Sequence, residues 1–198
     1  MLAIELCDIS EELVRAWERA FADLPSVTVS SGDIFGRTAD AIVSPANSFG
    51  YMDGGIDLVY SRYFGWVLEE KLRALLAEKH FGELPVGQAV ILATGHQAIP
   101  YLVSAPTMRT PGSIRSTVNV YLAFRAALIA VLNHNASTNA PPVHSLLVPG
   151  LGTGIGEVSP QRAARQMRLA YDNIIGGQGV KARNAGAIWG EHFELLSD

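Results

Sequence analysis

A single cysteine, Cys7, stands in the 198 residues. It excludes an intramolecular disulfide and any zinc cluster built from several cysteines. His80, His96, His134, His144 and His192 show no metal-ligand spacing. They read as ordinary surface or core residues, so neither a metal nor another cofactor is expected. Charge is also scarce. Charged side chains make up 17% of the chain, against roughly 25% in typical soluble domains. Fifteen basic residues are outnumbered by nineteen acidic ones, for a formal net charge of −4. Such a chain lacks the basic face that a large nucleic-acid footprint needs, so bulk nucleic-acid binding is not expected. A small anionic ligand is not excluded, because backbone amides and helix N-termini hold phosphates without side-chain charge. Long apolar runs are missing as well. The longest, 126–132, falls far short of the roughly 18 residues of a membrane span. No basic segment precedes an apolar stretch at the N-terminus, so no signal peptide is read. The expectation is a cytoplasmic protein with no membrane partner.

What the chain does have is apolar residues, 48% of the total, and slightly raised glycine and proline, nineteen and ten. That much apolar surface offsets chain entropy and argues against disorder. Strands are predicted at 2–6, 27–30, 41–44, 88–93, 101–105 and 145–148 from short apolar or alternating runs cut by turn residues. Helices are predicted after Ser10, over 66–79 with Leu68, Leu72 and Leu75 on one face, and over about 117–133. The last carries Val118, Tyr121, Leu122, Leu128, Ile129 and Leu132 as its stripe, with Arg125 reaching past its edge. A further helix aligns Ala163, Met167, Ala170, Tyr171 and Ile174, and 187–193 forms a possible final element. The polar segment 134–142 reads as a loop. Strands alternating with helices predict a three-layer α/β/α sandwich with a mixed, largely parallel central sheet. One unit over 1–198 is expected, with 1–26 as a strand–helix extension of it.

In such sheets ligands bind at the carboxyl ends of the strands, and three loops there are unusual. In Gly32-Asp33-Ile34 the carboxylate suits an exocyclic amine and the next amide a ring nitrogen. The same tripeptide also suits a plain turn. The second loop, 44–57, carries Asn47, three glycines and two aspartates before an apolar helix. Asp57 sits where an N-cap is expected, and equally where a carboxylate would activate water. The Asn47 amide suits a sugar or its own loop backbone. The third, 149–156, has four glycines in seven residues, Gly150, Gly152, Gly154 and Gly156, ahead of a helix. It offers a row of amides to an anion but lacks the lysine of a P-loop.

Together these loops resemble the macro domain family, whose members bind ADP-ribose. Gly32-Asp33-Ile34 resembles the adenine site, the 40–48 segment the family's D-A-I-V-N-A-A-N-S strand and first loop, and 149–156 its diphosphate-binding loop. The likeness spans about residues 30–175. It implies that Asp33 accepts from the adenine amine and the Ile34 amide meets the ring. Asn47 would contact the distal ribose. Gly54, Gly55 and Ile56 would face the diphosphate, with Gly152, Thr153, Gly154, Ile155 and Gly156 opposite. Asp57, ten residues after Asn47 as in the hydrolytic members, resembles the catalytic or water-positioning residue. The implied activity is hydrolysis of ADP-ribosyl linkages, including O-acetyl-ADP-ribose deacetylation. A non-catalytic reader and an ADP-ribose-1″-phosphate phosphatase are the alternatives, and ADP-ribose or an ADP-ribosylated substrate is the partner. This chain departs from the pattern at Ser44 and Pro45, which replace Asn and Ala. Asp53 replaces a glycine, so it should point outward or pair with Arg62 or Arg109. The third loop lacks the aromatic that packs on the distal ribose, a place Phe49 or Tyr51 could take. The segment 107–111 is expected to overhang the pocket, with Arg109 or Arg115 in reach of a phosphate.

Overall fold

The computed structural model describes residues 2–137, 139–179 and 184–197. Its strands are β1 (Ala3–Asp8), β2 (Val27–Ser31), β3 (Ala41–Ser44), β4 (Val90–Ala93), β5 (Tyr101–Ser104) and β6 (Ser145–Val148). The helices are α1 (Glu11–Ala20), α2 (Gly55–Phe64), α3 (Val67–His80), α4 (Asn119–Ala136), α5 (Pro160–Ile174) and α6 (Ala185–Leu196). The strands form one six-stranded sheet in the order β2-β1-β6-β3-β5-β4. All neighbours are parallel except β4 and β5. The sheet is therefore mixed and largely parallel, and five strands end along one edge.

Alternation along each strand sends side chains to two helical layers. Val43, Val103, Leu146 and Val148 pack with Trp17 of α1, Phe124 and Leu128 of α4, and Met167 of α5. Ile42, Leu102 and Leu147 face the other way, onto Tyr60 of α2 and Leu68, Leu72 and Leu76 of α3. This is the three-layer α/β/α arrangement expected. Burying a side chain such as Phe124 stabilises the fold by roughly 1.5–3 kcal/mol. The Trp17 indole finds a polar contact inside the core, donating to the Met167 sulfur at 3.3 Å.

Local chemistry explains the helix starts. Ser10 accepts from the Leu13 amide at 3.4 Å, and Ser159 from the Arg162 amide at 3.3 Å, with Pro160 opening α5. Several boundaries differ from expectation. The α4 helix continues through His134 to Ala136, so the following loop starts later. Its stripe is also displaced: Leu132 is exposed and Ile129 half-buried, whereas Ala123, Ala127 and Val131 are fully buried. The helix packs against both the sheet and α5, and small residues let both approach. In α3 the fully buried residues are Leu68, Leu72 and Leu76, with Leu75 only half-buried. The N-terminal strand β1 is not peripheral, since it pairs with β2 on one side and β6 on the other. No described helix is long and apolar enough to cross a membrane.

Candidate functional site

A cavity of about 770 Å³ opens at the carboxyl ends of the parallel strands. All the ligand-binding and catalytic candidates from the three loops line it: Asp33 and Ile34; Asn47, Gly54, Gly55, Ile56 and Asp57; and Gly152, Thr153, Gly154, Ile155 and Gly156. Sheet topology brings them together, because β2, β3 and β6 all end at this edge.

The third loop presents backbone donors. The Gly150 amide donates to Asp8 Oδ2 at 3.0 Å. Among the described residues, the amides from Gly152 to Gly156 donate to no protein group. The loop is nevertheless tightly folded. Its carbonyls at Gly152, Gly154 and Gly156 accept from Val158, Glu157 and Ile114 at 2.8–3.0 Å. A methyl group on Gly150 would meet Thr153 Oγ1 at 2.6 Å and Asp8 Oδ2 at 2.7 Å. Opposite lies the start of α2, whose N-cap is Gly54 and which no side chain caps. Its first-turn amides therefore have no intrahelical partner and carry the positive end of the helix dipole.

Asp57 is not the N-cap that its sequence context suggested. It sits in the first turn of α2, after the Gly54 cap, and is only 6% exposed. The Ser44 hydroxyl, at the end of β3, donates to Asp57 Oδ1 at 2.6 Å. Burial pushes the Asp57 carboxyl up to about 7, with the Ser44 bond pulling the other way. One turn on, the buried Tyr60 hydroxyl donates to the Val43 carbonyl at 3.0 Å and fixes α2 to β3.

Asn47 turns its amide to its own loop. Its Oδ1 accepts from the amides of Phe49 at 3.0 Å and Tyr51 at 3.3 Å, and its Nδ2 donates to the Tyr51 carbonyl at 2.7 Å. Asp33 likewise accepts from the Phe35 amide at 2.9 Å, opening a single 3-10 turn, Ile34–Gly36. Of the two aromatics considered for the missing third-loop ring, Tyr51 lines the cavity and Phe49 does not. Phe49 instead lies under the Arg109 guanidinium, 5.0 Å from its ring centroid. Arg109 is held by Glu83 at 2.7 Å, which corrects the expectation that it would pair with Asp53 or reach a phosphate. Neither Arg109, Arg115 nor Arg62 lines the cavity, and Asp53 is exposed without an ion-pair partner among the described residues. Thr107, Met108 and Pro111 do overhang it.

The sequence reading missed the contribution of β1. Cys7, Asp8, Ile9, Ser10 and Glu12 all line the cavity. Strand order is set by pairing at a distance, so an N-terminal strand reads as an appendage. The one local signal was an aspartate ending a strand two residues before a helix cap.

The family model described as Macro domain matches residues 43–167, a narrower span than the sequence likeness suggested, leaving Asp33 and Ile34 outside it. An uncharacterised protein of Aquifex aeolicus is 36% identical over 141 residues, covering 71% of this chain and 78% of that one. A macro domain-containing protein of Cupriavidus necator is 30% identical over 137 residues, covering 69% and 74%. The Oceanobacillus iheyensis macrodomain solved with ADP superposes with a TM-score of 0.61 at 20% identity, covering 83% of this chain and 88% of that one. A mutant of that macrodomain solved with ADPR gives a TM-score of 0.56.

Proposed function

Because this chain belongs to the macro domain family, we propose that its cavity binds ADP-ribose and that Asp57 drives hydrolysis of ADP-ribosyl linkages. The observation that carries this is a carboxyl, buried and pushed up to about 7 by that burial, on the wall of a cavity whose other walls offer unpaired backbone amides. Asp33 and the Ile34 amide take the adenine edge at the end of β2. The diphosphate lies between the first turn of α2 and the amides of 152–156, where fixed dipoles replace side-chain cations. The distal ribose then reaches the Asn47 and Asp57 end. There the ionised carboxylate accepts a proton from water as that water attacks the carbon bearing the linkage, and the released acceptor takes up a proton. A base titrating near the working pH combines a useful ionised fraction with adequate basicity.

One observation favours a second reading, a module that binds ADP-ribose without turning it over: the Asn47 Oδ1 and one Nδ2 hydrogen are bonded to its own loop. A phosphatase acting on ADP-ribose-1″-phosphate is disfavoured, because among the described residues no Lys or Arg lines the cavity to receive an additional phosphate.

The test is a panel of N-glycosidic and ester-linked ADP-ribosylated proteins, O-acetyl-ADP-ribose and ADP-ribose-1″-phosphate, followed by release of ADP-ribose or phosphate. The proposal expects ADP-ribose release from at least one linkage and no phosphate. It also expects Asp57→Ala to lower kcat by at least about 100-fold, the low end of general-base contributions. Binding without turnover on every compound selects the reader, and unchanged turnover by Asp57→Ala removes Asp57 from the chemistry.

A further inference from the structure

We propose that Ser44 is a positioning residue for the proton transfer at Asp57, presenting one carboxylate oxygen to the cavity and setting the pH range in which the carboxylate is ionised. This rests on the reading of Asp57 as the base. The strand β3 reads Ala41, Ile42, Val43, Ser44, and all four are completely buried. A hydroxyl at the buried end of an otherwise apolar strand needs a partner, and Ser44 has one, donating to Asp57 Oδ1 at 2.6 Å. Three other buried hydroxyls bond to the main chain: Ser61 to the Met52 carbonyl, Thr94 to the Ile99 carbonyl and Tyr60 to the Val43 carbonyl. Ser44 alone among these gives its proton to a carboxylate. A short O–H···O⁻ bond is stronger for the ionised acid than for the neutral one, so it favours the charged form.

Geometry reinforces the assignment. With Oδ1 occupied by Ser44, no hydrogen bond among the described residues engages Asp57 Oδ2, and the residue lines the cavity. The hydroxyl thereby selects which oxygen meets a water. The titratable groups around Asp57 offer no competing stabilisation. Tyr60 of α2 lies in electrostatic reach of Asp57, and Cys7 and Asp8 of β1 lie in reach of Tyr60. Asp33, Asp53 and Glu12 complete the acids of the cavity wall, and among the described residues no Lys or Arg lines it. Ser44 is then the group that offsets burial.

A neighbouring serine provides the control. Ser104 of β5 is in register with Ser44, equally buried, and its Oγ has no partner. Removing it disturbs the same layer without touching Asp57. The experiment compares wild type, Ser44→Ala, Ser44→Thr and Ser104→Ala by two readouts. One is a carbon-13 NMR titration of the Asp57 carboxyl, which needs no substrate. The other is the pH dependence of kcat on an ADP-ribosylated substrate. Ser44→Ala should raise the NMR midpoint and the acid limb together by about one pH unit, a roughly tenfold loss of kcat on the acid side. KM should stay within about twofold, since the ground-state contacts are unchanged. Ser44→Thr, which keeps the hydroxyl, should restore both values, and Ser104→Ala should leave both where they are in wild type. If Ser44→Ala loosens the strand end, Ser44→Cys, isosteric and a far weaker donor, makes the same comparison.

An unmoved midpoint in Ser44→Ala or Ser44→Cys, or an equal shift in Ser104→Ala, overturns the proposal. A midpoint that moves while kcat does not follow it overturns the role of Asp57 as base. The NMR readout thus separates the two failures.

Discussion

At the residue scale the chemistry of this protein gathers on Asp57. A buried carboxyl prefers to be neutral, and the folded chain holds it there at a cost that depends on pH. Its folded value of about 7 lies above the value near 3.9 of an unfolded aspartate. The native state therefore binds the extra proton between those two values. The contribution to stability is fully present below about pH 4, falls as pH rises, and is lost above about pH 7. Asp57→Asn removes the ionisation while keeping an acceptor for Ser44. Its melting temperature relative to wild type should rise steadily from pH 4 to pH 7 and level off, by several degrees in all. Differential scanning calorimetry across that range checks it, and a constant difference would place the Asp57 titration elsewhere. Asn47 teaches a different lesson at the same scale. The sequence left its amide to a sugar or to its own loop, and the loop has it. A side-chain amide two to four residues from unpaired backbone groups finds them before any ligand arrives.

Among the elements, the two loops that face each other across the cavity are stiff for different reasons. The 45–54 loop is held by side chains: Glu69 accepts from the Met52 amide at 2.7 Å, and Ser61 donates to the Met52 carbonyl at 2.8 Å. Gly50, at φ 72°, lies against Leu72 and Leu76 of α3, where a methyl group would come within 3.1 Å of each. The 150–156 loop is held by its own backbone. A methyl on Gly156 would collide with the Gly152 carbonyl and come within 2.8 Å of Ile114 Cγ1. Gly156→Ala should therefore displace the loop amides and weaken ADP-ribose binding by about tenfold or more, at a stability cost of about 1–3 kcal/mol. Titration calorimetry with parallel urea unfolding measures both. Wild-type affinity in a folded variant would mean that these amides do not hold the ligand.

The elements themselves were largely readable from sequence. Short apolar runs bounded by glycine and proline marked the strands, and a serine cap marked α1. What escaped was set by packing partners. The buried arc of α4 is wider than one stripe because two surfaces press on it, and Leu132 of its expected stripe faces solvent. The place of β1 inside the sheet, second from its edge, depends on pairing with β2 and β6, which no local pattern encodes. The same ignorance of strand order hid Asp8, whose carboxylate binds the Ser10 amide at 2.9 Å and the Gly150 amide at 3.0 Å, joining the first strand to the third loop.

For the molecule as a whole, a net charge of −4 and a cavity that no Lys or Arg lines among the described residues belong to one design. Backbone amides and a helix N-terminus attract a diphosphate as fixed dipoles, so binding displaces few counterions. Affinity for ADP-ribose should change by less than about threefold between 50 and 500 mM salt, whereas a site built on several cations would lose far more. A steep salt dependence would indicate that a cation outside the cavity wall moves in to take the phosphates. The whole account stands on the identity of the ligand. The most direct measurement is a calorimetric titration of the full chain with ADP-ribose at neutral pH. Saturable one-to-one binding, tighter than that of ADP, is the predicted result, because the distal ribose adds contacts at the Asn47 and Asp57 end. Absence of heat at millimolar ADP-ribose would contradict it.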